Sequence, residues 1–308
     1  MQSNGIRETN ETVASDSLLT LVLGKTRDLG MLVKFRLSLT VVFSAVLAYL
    51  IAWPTAERVS LVPVLVLALG GFCVAGAANA LNQVLERDYD RLMKRTADRP
   101  VASGRMSISD GVLTAGLLSV AGLMLLATFN PWTALFGALA LLSYAFLYTP
   151  MKRISTAAIA IGALPGALPV LIGCVAAEGQ VSSLSLTLFA IQFFWQFPHF
   201  GAISWLGFED YQQAGFRFVA NSAGEWDRSI GLQGFVYALT LVPLSILPWW
   251  TGMTGLISMA IVCLLGGAYA WLSWRLYRSN ERKAALALMF FSFFYLPLAL
   301  MAYWLDKI

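Results

Sequence analysis

The sequence predicts an all-α integral membrane protein built as a bundle of nine spanning helices. Of its 308 residues 58% are hydrophobic and only 12% charged, whereas soluble domains are roughly 45–50% apolar. Apolar runs long enough to cross a bilayer recur along the chain, and its basic residues gather on one side of them. Lipid offers the backbone no hydrogen-bond partners, so runs of about 18 or more apolar residues read as helices. Barrel strands would instead be short and alternating.

The predicted spans are residues 38–53, 61–84, 108–128, 131–149, 155–176, 184–206, 230–250, 253–274 and 284–304. With the N-terminus cytoplasmic, 19 of the 21 Lys and Arg residues lie on the inner side, leaving Arg58 and Lys307 outside. Cytoplasmic loops retain such residues, and an odd helix count then puts the C-terminus outside. The net charge of +4 is therefore a topology signal, and no nucleic-acid partner is predicted. Cys73, Cys174 and Cys263 fall in separate apolar spans and read as buried free thiols. Residues 1–36 read as a cytoplasmic N-terminal segment: a polar, mobile start, then residues 18–36 lying along the inner membrane surface. Residues 37–308 form the membrane-embedded domain. Glu8, Glu11 and Asp16 precede the first apolar run, which disfavours a signal peptide.

One stretch breaks the apolar pattern. NALNQVLERDYDRLMKRTADRP, residues 79–100, carries four acidic and five basic side chains at the inner end of the second span. Read as helix, it puts Asn79, Asn82, Glu86 and Asp90 within one sector of about 80°, with Asp88 outside it. A compact row of oxygen donors suits a hard cation such as Mg²⁺, which takes one or two carboxylates and leaves positions for water and substrate phosphates. Lys94, Arg95 and Arg99 follow it and are suited to the remaining phosphate oxygens. A loop that only fixed topology would also be rich in Lys and Arg, but it would need no acidic row.

Other polar groups lie on the same predicted face. YTPMKR, residues 148–153, ends the fourth span with Tyr148, Lys152 and Arg153, and FFWQFPHF, residues 193–200, contains the single histidine, His199. Taken alone, the first reads equally as snorkelling cations and the second as a hydrogen-bonded interfacial histidine. Pro198 biases residue 197 away from helical geometry, which predicts a break there. The aromatic set around Trp195 reads either as core or as the walls of a flat ligand. GALPGALPVLIG, residues 162–173, reads as close helix packing around prolines, or as room for a bulky substrate.

Together with SGR at 103–105 and DYQQAG at 210–215, these motifs resemble the UbiA superfamily of intramembrane prenyltransferases, and within it the haem-modifying protohaem IX farnesyltransferase (haem O synthase) branch. The resemblance spans about residues 30–304 and implies a nine-helix bundle around a central cavity capped by cytoplasmic loops. It implies transfer of the farnesyl group of farnesyl diphosphate to a vinyl carbon of haem B, with water giving the hydroxyl of haem O. Asn82, Glu86 and Asp90 then become the metal and diphosphate row, with Mg²⁺ as cofactor and Asn79 beside it. Arg95 and Arg99 match the family's basic positions after that row, and Tyr148 and Lys152 its diphosphate-contacting element; Lys94, Arg153, Trp195, His199 and Asp210 are further expected substrate-binding residues, the histidine on the haem side. Haem A synthase or another oxidase-assembly protein is the implied partner. Two departures stand out: position 86 is Glu where many relatives have Asp, and Glu209 and Asp210 are adjacent, so the second acidic row of the aromatic-ring enzymes is missing.

Two other readings compete. A relative prenylating an aromatic or tetrapyrrole acid predicts that second acidic row. A haem transporter or scaffold predicts broken helices in matched halves and charges near the midplane, whereas these ions cluster at one face. The expected location is a bacterial plasma membrane, with the active face cytoplasmic.

Overall fold

The computed structural model of the chain describes residues 20–54, 58–216, 219–221 and 223–308. The predicted mobile start, residues 1–17, therefore lies outside the described residues. Among these residues the elements are helices: α1 (20–32), α2 (Phe35–Ala52), α3 (Leu61–Leu85), α4 (Arg87–Asp90), α5 (Ile108–Ala127), α6 (Pro131–Leu142), α7 (Thr149–Met151), α8 (Ala158–Glu178), α9 (Ser183–Leu206), α10 (Phe208–Gln213), α11 (Arg228–Trp250), α12 (Leu256–Ser279) and α13 (Arg282–Leu305). A π-helical turn, Ser143–Tyr148, joins α6 to α7. Among the described residues eight helices are long and apolar enough to cross a membrane, counting α6 to α7 as one; α9 falls short in apolarity.

Helix ends follow local chemistry. Ser107, Asn130, Ser182 and Asp227 accept from the first-turn N–H groups of α5, α6, α9 and α11, and Pro131 opens α6, where a missing N–H costs nothing. Gly179 (φ 75°) and Asn280 (φ 51°) close α8 and α12 in the left-handed conformation. α9 runs unbroken through Pro198, which corrects the break expected before it. Its neighbours hold it there: the Pro198 Cα lies 3.1 Å from where a Cβ on Gly234 of α11 would sit.

The helices pack in two groups. One contains α2, α3, α5, α6 and α8; the other contains α9, α11, α12 and α13, and α2 and α8 meet α9 and α13 between them. Helix α8 is the most interior, with 78% of its apolar window buried. Its small residues make this possible: a Cβ on Gly173 would lie 2.0 Å from the Ala45 carbonyl oxygen of α2. The outer surface is apolar. On α5, Leu113, Leu117, Val120 and Met124 are each at least 60% exposed and share one face at helical spacing. Such a stripe suits lipid, not water. Cys73, Cys174 and Cys263 are free thiols.

Gly173→Ala is expected to push α2 off α8 and lower stability by about 1–3 kcal/mol. The temperature at which the detergent-solubilised protein loses its monodisperse peak should fall accordingly; an unchanged profile would mean the two helices tolerate separation.

Candidate active site

The acidic row sits where α3 ends. Glu86 leaves helical geometry (φ −100°, ψ 7°) before the single turn of α4, so residues 79–91 are not the continuous helix that periodicity predicts. Two bonds nevertheless carry the register across: Glu86 N–H donates to Asn82 O at 2.9 Å, and Asp90 N–H to Glu86 O at 2.8 Å. Asn82, Glu86 and Asp90 thus follow one another a turn apart, and all are buried, at 1%, 3% and 0% exposure.

Buried oxygens need partners, and each of these meets a cation. Arg99 Nη1 donates to both Asp90 oxygens, at 2.8 and 2.7 Å. Lys152 forms an ion pair with Glu86. Lys34 Nζ donates to Asn82 Oδ1 at 3.1 Å, while Asn82 Nδ2 donates to Thr149 Oγ1 at 3.1 Å. Three cations therefore surround two carboxylates, leaving an excess of positive charge in a low-dielectric setting where it is felt strongly.

Each cation is delivered by a different element. The loop after α4 folds back through tight turns, with Thr96 Oγ1 donating to Asp90 O at 3.0 Å and Arg99 N–H to Thr96 O at 3.0 Å. The π turn widens the helix by one residue, a feature frequent at functional sites. It places Thr149 against Asn82 and Lys152 against Glu86. Lys152 also lies 4.9 Å above the Tyr148 ring. Gly162 of α8 admits that ring, since a Cβ there would be 2.6 Å from it. Lys34 comes from the turn between α1 and α2.

The electrostatics follow from burial. Desolvation pushes the Asp90 carboxyl up, against the pull of Arg99. It pushes the Lys152 ammonium down, with Glu86 opposing. The Lys34 amine is driven well down, by burial first and then by the Arg99 and Lys152 charges.

The other sequence-predicted residues divide. Arg95 is exposed and its Nη2 donates to Tyr211 OH at 3.4 Å, tying the loop after α4 to α10. Lys94 is exposed, and Asp210 is half-buried on α10, with no ion pair among the described residues. Arg153 stacks 3.9 Å over Tyr89 and donates to Leu85 O at 2.9 Å, closing the end of α3 instead of joining the three pairs. Asn79 also stays apart, donating to Ser38 Oγ and Val33 O at 3.2 and 3.4 Å. It braces α3 against α2.

The WQFPHF segment faces two ways. Phe193, Phe197 and Phe200 pack in one apolar cluster with Tyr89, Tyr148, Tyr211 and Phe216, which border the polar residues. Trp195 and His199 occupy the other face of α9, stacked at 4.8 Å. His199 Nδ1 lies 2.7 Å from Ser292 Oγ. Because Ser292 donates its one proton to Met289 O at 2.6 Å, Nδ1 carries the proton in that bond and Nε2 carries the lone pair. His199 and the acidic row are thus not brought into contact.

Sequence reasoning missed Lys34, Thr149 and Gln83. Lys34 had a signal, a lysine abutting the first span, but a basic residue there is indistinguishable from a topology signal.

A helical membrane protein with an acid-and-cation cluster at one end of its bundle is the class that fold and site define. Residues 41–296 match the UbiA prenyltransferase family. The chain belongs to that family. It is similar to the protoheme IX farnesyltransferase of Flavobacterium psychrophilum, 41% identical over 91% of this chain and 94% of that one. Among solved structures it superposes on a digeranylgeranylglyceryl phosphate synthase (TM-score 0.74, 16% identity, 92% of this chain and 98% of that one). It also superposes on a UbiA homologue of Archaeoglobus fulgidus bound to DMAPP and Mg²⁺ (TM-score 0.67, 14% identity, 89% and 98%). At such identities these two likenesses speak to the fold.

Removing one partner of a buried ion pair strands the other charge. Arg99→Met should therefore destabilise the protein by about 3 kcal/mol, and adding Asp90→Asn should recover most of it. A double-mutant cycle on thermal unfolding checks this; additive losses would mean that the two side chains do not act as a pair.

Proposed function

We propose that the protein transfers the farnesyl group of farnesyl diphosphate to a vinyl carbon of haem B, with addition of water, giving haem O and diphosphate. The observation that carries the reading is the cluster of three cations around two buried carboxylates a turn apart. It is an arrangement for a ligand that is itself anionic and metal-bound. The likeness to relatives of that name over nine-tenths of the chain supplies the acceptor.

The donor set fits Mg²⁺ of a particular kind. Among the described residues no group of three His, Cys, Asp or Glu side chains could cage a metal, and Mg²⁺ needs none when phosphates and waters complete its shell. Glu86, Asp90 and the Asn82 carboxamide would hold it. When bound, it supplies charge neutralisation to the diphosphate as the leaving group departs.

The chain's own residues do the rest. Lys152 and Arg99 donate to diphosphate oxygens as the allylic C–O bond breaks and its electron pair leaves with the diphosphate, the kind of preorganised stabilisation that usually dominates catalysis. The aromatic cluster of Tyr148, Phe193, Phe197 and Phe200 keeps water from the allylic carbon until the vinyl terminus has bonded to it. Water then adds its oxygen to the vinyl carbon next to the porphyrin and loses a proton. His199, with Nδ1–H held by Ser292, offers Nε2 as a lone pair on the haem side.

The proposed topology has nine crossings, with α1 on the inner membrane surface, the N-terminus cytoplasmic and the C-terminus outside. Helix α9 is the ninth: its 24 residues reach about 36 Å, more than the ~30 Å core. Its polar groups are absorbed inside the bundle, Gln192 donating to Gly166 O at 2.7 Å and Gln196 to Ala163 O at 2.9 Å. The location that fits is a bacterial plasma membrane with the site on its cytoplasmic face, and a haem A synthase or oxidase-assembly protein is the proposed recipient of the product.

Purified protein given haem B, farnesyl diphosphate and Mg²⁺ should yield a porphyrin heavier by a farnesyl unit plus water, read by mass spectrometry. Lys152→Met should lower turnover by about a hundredfold or more. Failure of the wild type to form that mass with any divalent metal would overturn the reading.

A further inference from the structure

We propose that Lys34 is a diphosphate-binding residue, the third cation of the site, delivered by a turn that α3 clamps in place for this purpose. This rests on the reading of the site as a metal-diphosphate site and names a residue that the acidic row does not reveal.

The first observation is the backbone. Lys34 adopts φ 46° and ψ 58°, the left-handed region, which crowds a residue that carries a Cβ. Gly or Asn would take that conformation more readily. A lysine that holds a strained turn points to a use for its side chain.

The second is the clamp. Gln83 Nε2 donates to Met31 O and Leu32 O at 2.8 and 3.0 Å. Asn79 Nδ2 reaches Val33 O, and Ser38 Oγ donates to the same carbonyl at 2.7 Å. Three successive carbonyls before Lys34 are thus held by side chains, two of them from the helix that carries Asn82. On the other side, Arg105 from the loop after α4 binds Asp28 of α1 through Nε at 3.0 Å. The Asn79 and Gln83 amide NH₂ groups are committed to this task, which explains why Asn79 shares the helical sector of the row without joining it.

The third is charge. Lys152 and Arg99 each rest on a carboxylate. Lys34 rests on a neutral carboxamide, so its charge has no direct counterion in the cluster, and a carboxamide oxygen gives up a hydrogen bond at little electrostatic cost. The ammonium is therefore the readiest of the three to move to an arriving phosphate oxygen, freeing Asn82 Oδ1 for other work.

The test measures binding of inorganic diphosphate, with Mg²⁺, to the full-length protein by calorimetry. Lys34→Met should weaken binding by about tenfold or more, and Lys34→Arg should restore much of it. Lys34→Gly separates backbone from amine, because Gly is at ease in the left-handed turn: it should bind as weakly as Lys34→Met while unfolding no earlier than wild type. Diphosphate binding by Lys34→Gly equal to wild type would overturn the proposal and leave Lys34 a turn residue. No binding by the wild type itself would overturn the metal-diphosphate reading of the site as a whole.

Discussion

Three oxygen-bearing side chains on successive turns, buried at the end of a helix in an apolar bundle, cannot be left alone. A carboxylate without a counter-charge in such surroundings is costly by several kcal/mol, and the structure answers with one cation per donor: Lys34 for Asn82, Lys152 for Glu86, Arg99 for Asp90. That matching is the constraint on which the local architecture depends. It requires three separate chain segments to converge on the last turn of α3.

Each convergence has its own device. The π turn between α6 and α7 shifts the helix register so that Thr149 and Lys152 both face α3. The loop after α4 winds back through Thr96 to bring Arg99 under Asp90. The turn between α1 and α2 is fastened by Gln83 and Asn79. The same pairs make the cluster tolerable in an apolar bundle, and under the proposed function they are the groups that Mg²⁺ and a diphosphate would engage. Arg95 and Tyr211 join the loop after α4 to α10.

Much of this was legible because periodicity is a strong signal. The apolar runs located the long helices to within a few residues, and the 100° advance per residue placed Asn82, Glu86 and Asp90 together even though the helix breaks at Glu86. The backbone bonds across the break preserve what the ideal helix predicts. What spacing could not show was commitment. Asn79 lies in the same sector, yet its amide is taken by α2 and the turn before it. Arg153 follows Lys152 in sequence but turns to Tyr89. WQFPHF reads as one motif, whereas helical geometry sends its phenylalanines and its Trp195–His199 pair to opposite faces. Lys34 was hidden for a different reason: its partner lies 48 residues away, and only tertiary contact reveals the pairing.

The most direct measurement is a structure of the protein with Mg²⁺ and a non-reactive farnesyl thiodiphosphate. The account predicts phosphate oxygens within hydrogen-bond distance of Lys34, Lys152 and Arg99, with metal density against Glu86 and Asp90. A diphosphate lodged elsewhere, with the three donor–cation pairs still closed, would contradict it.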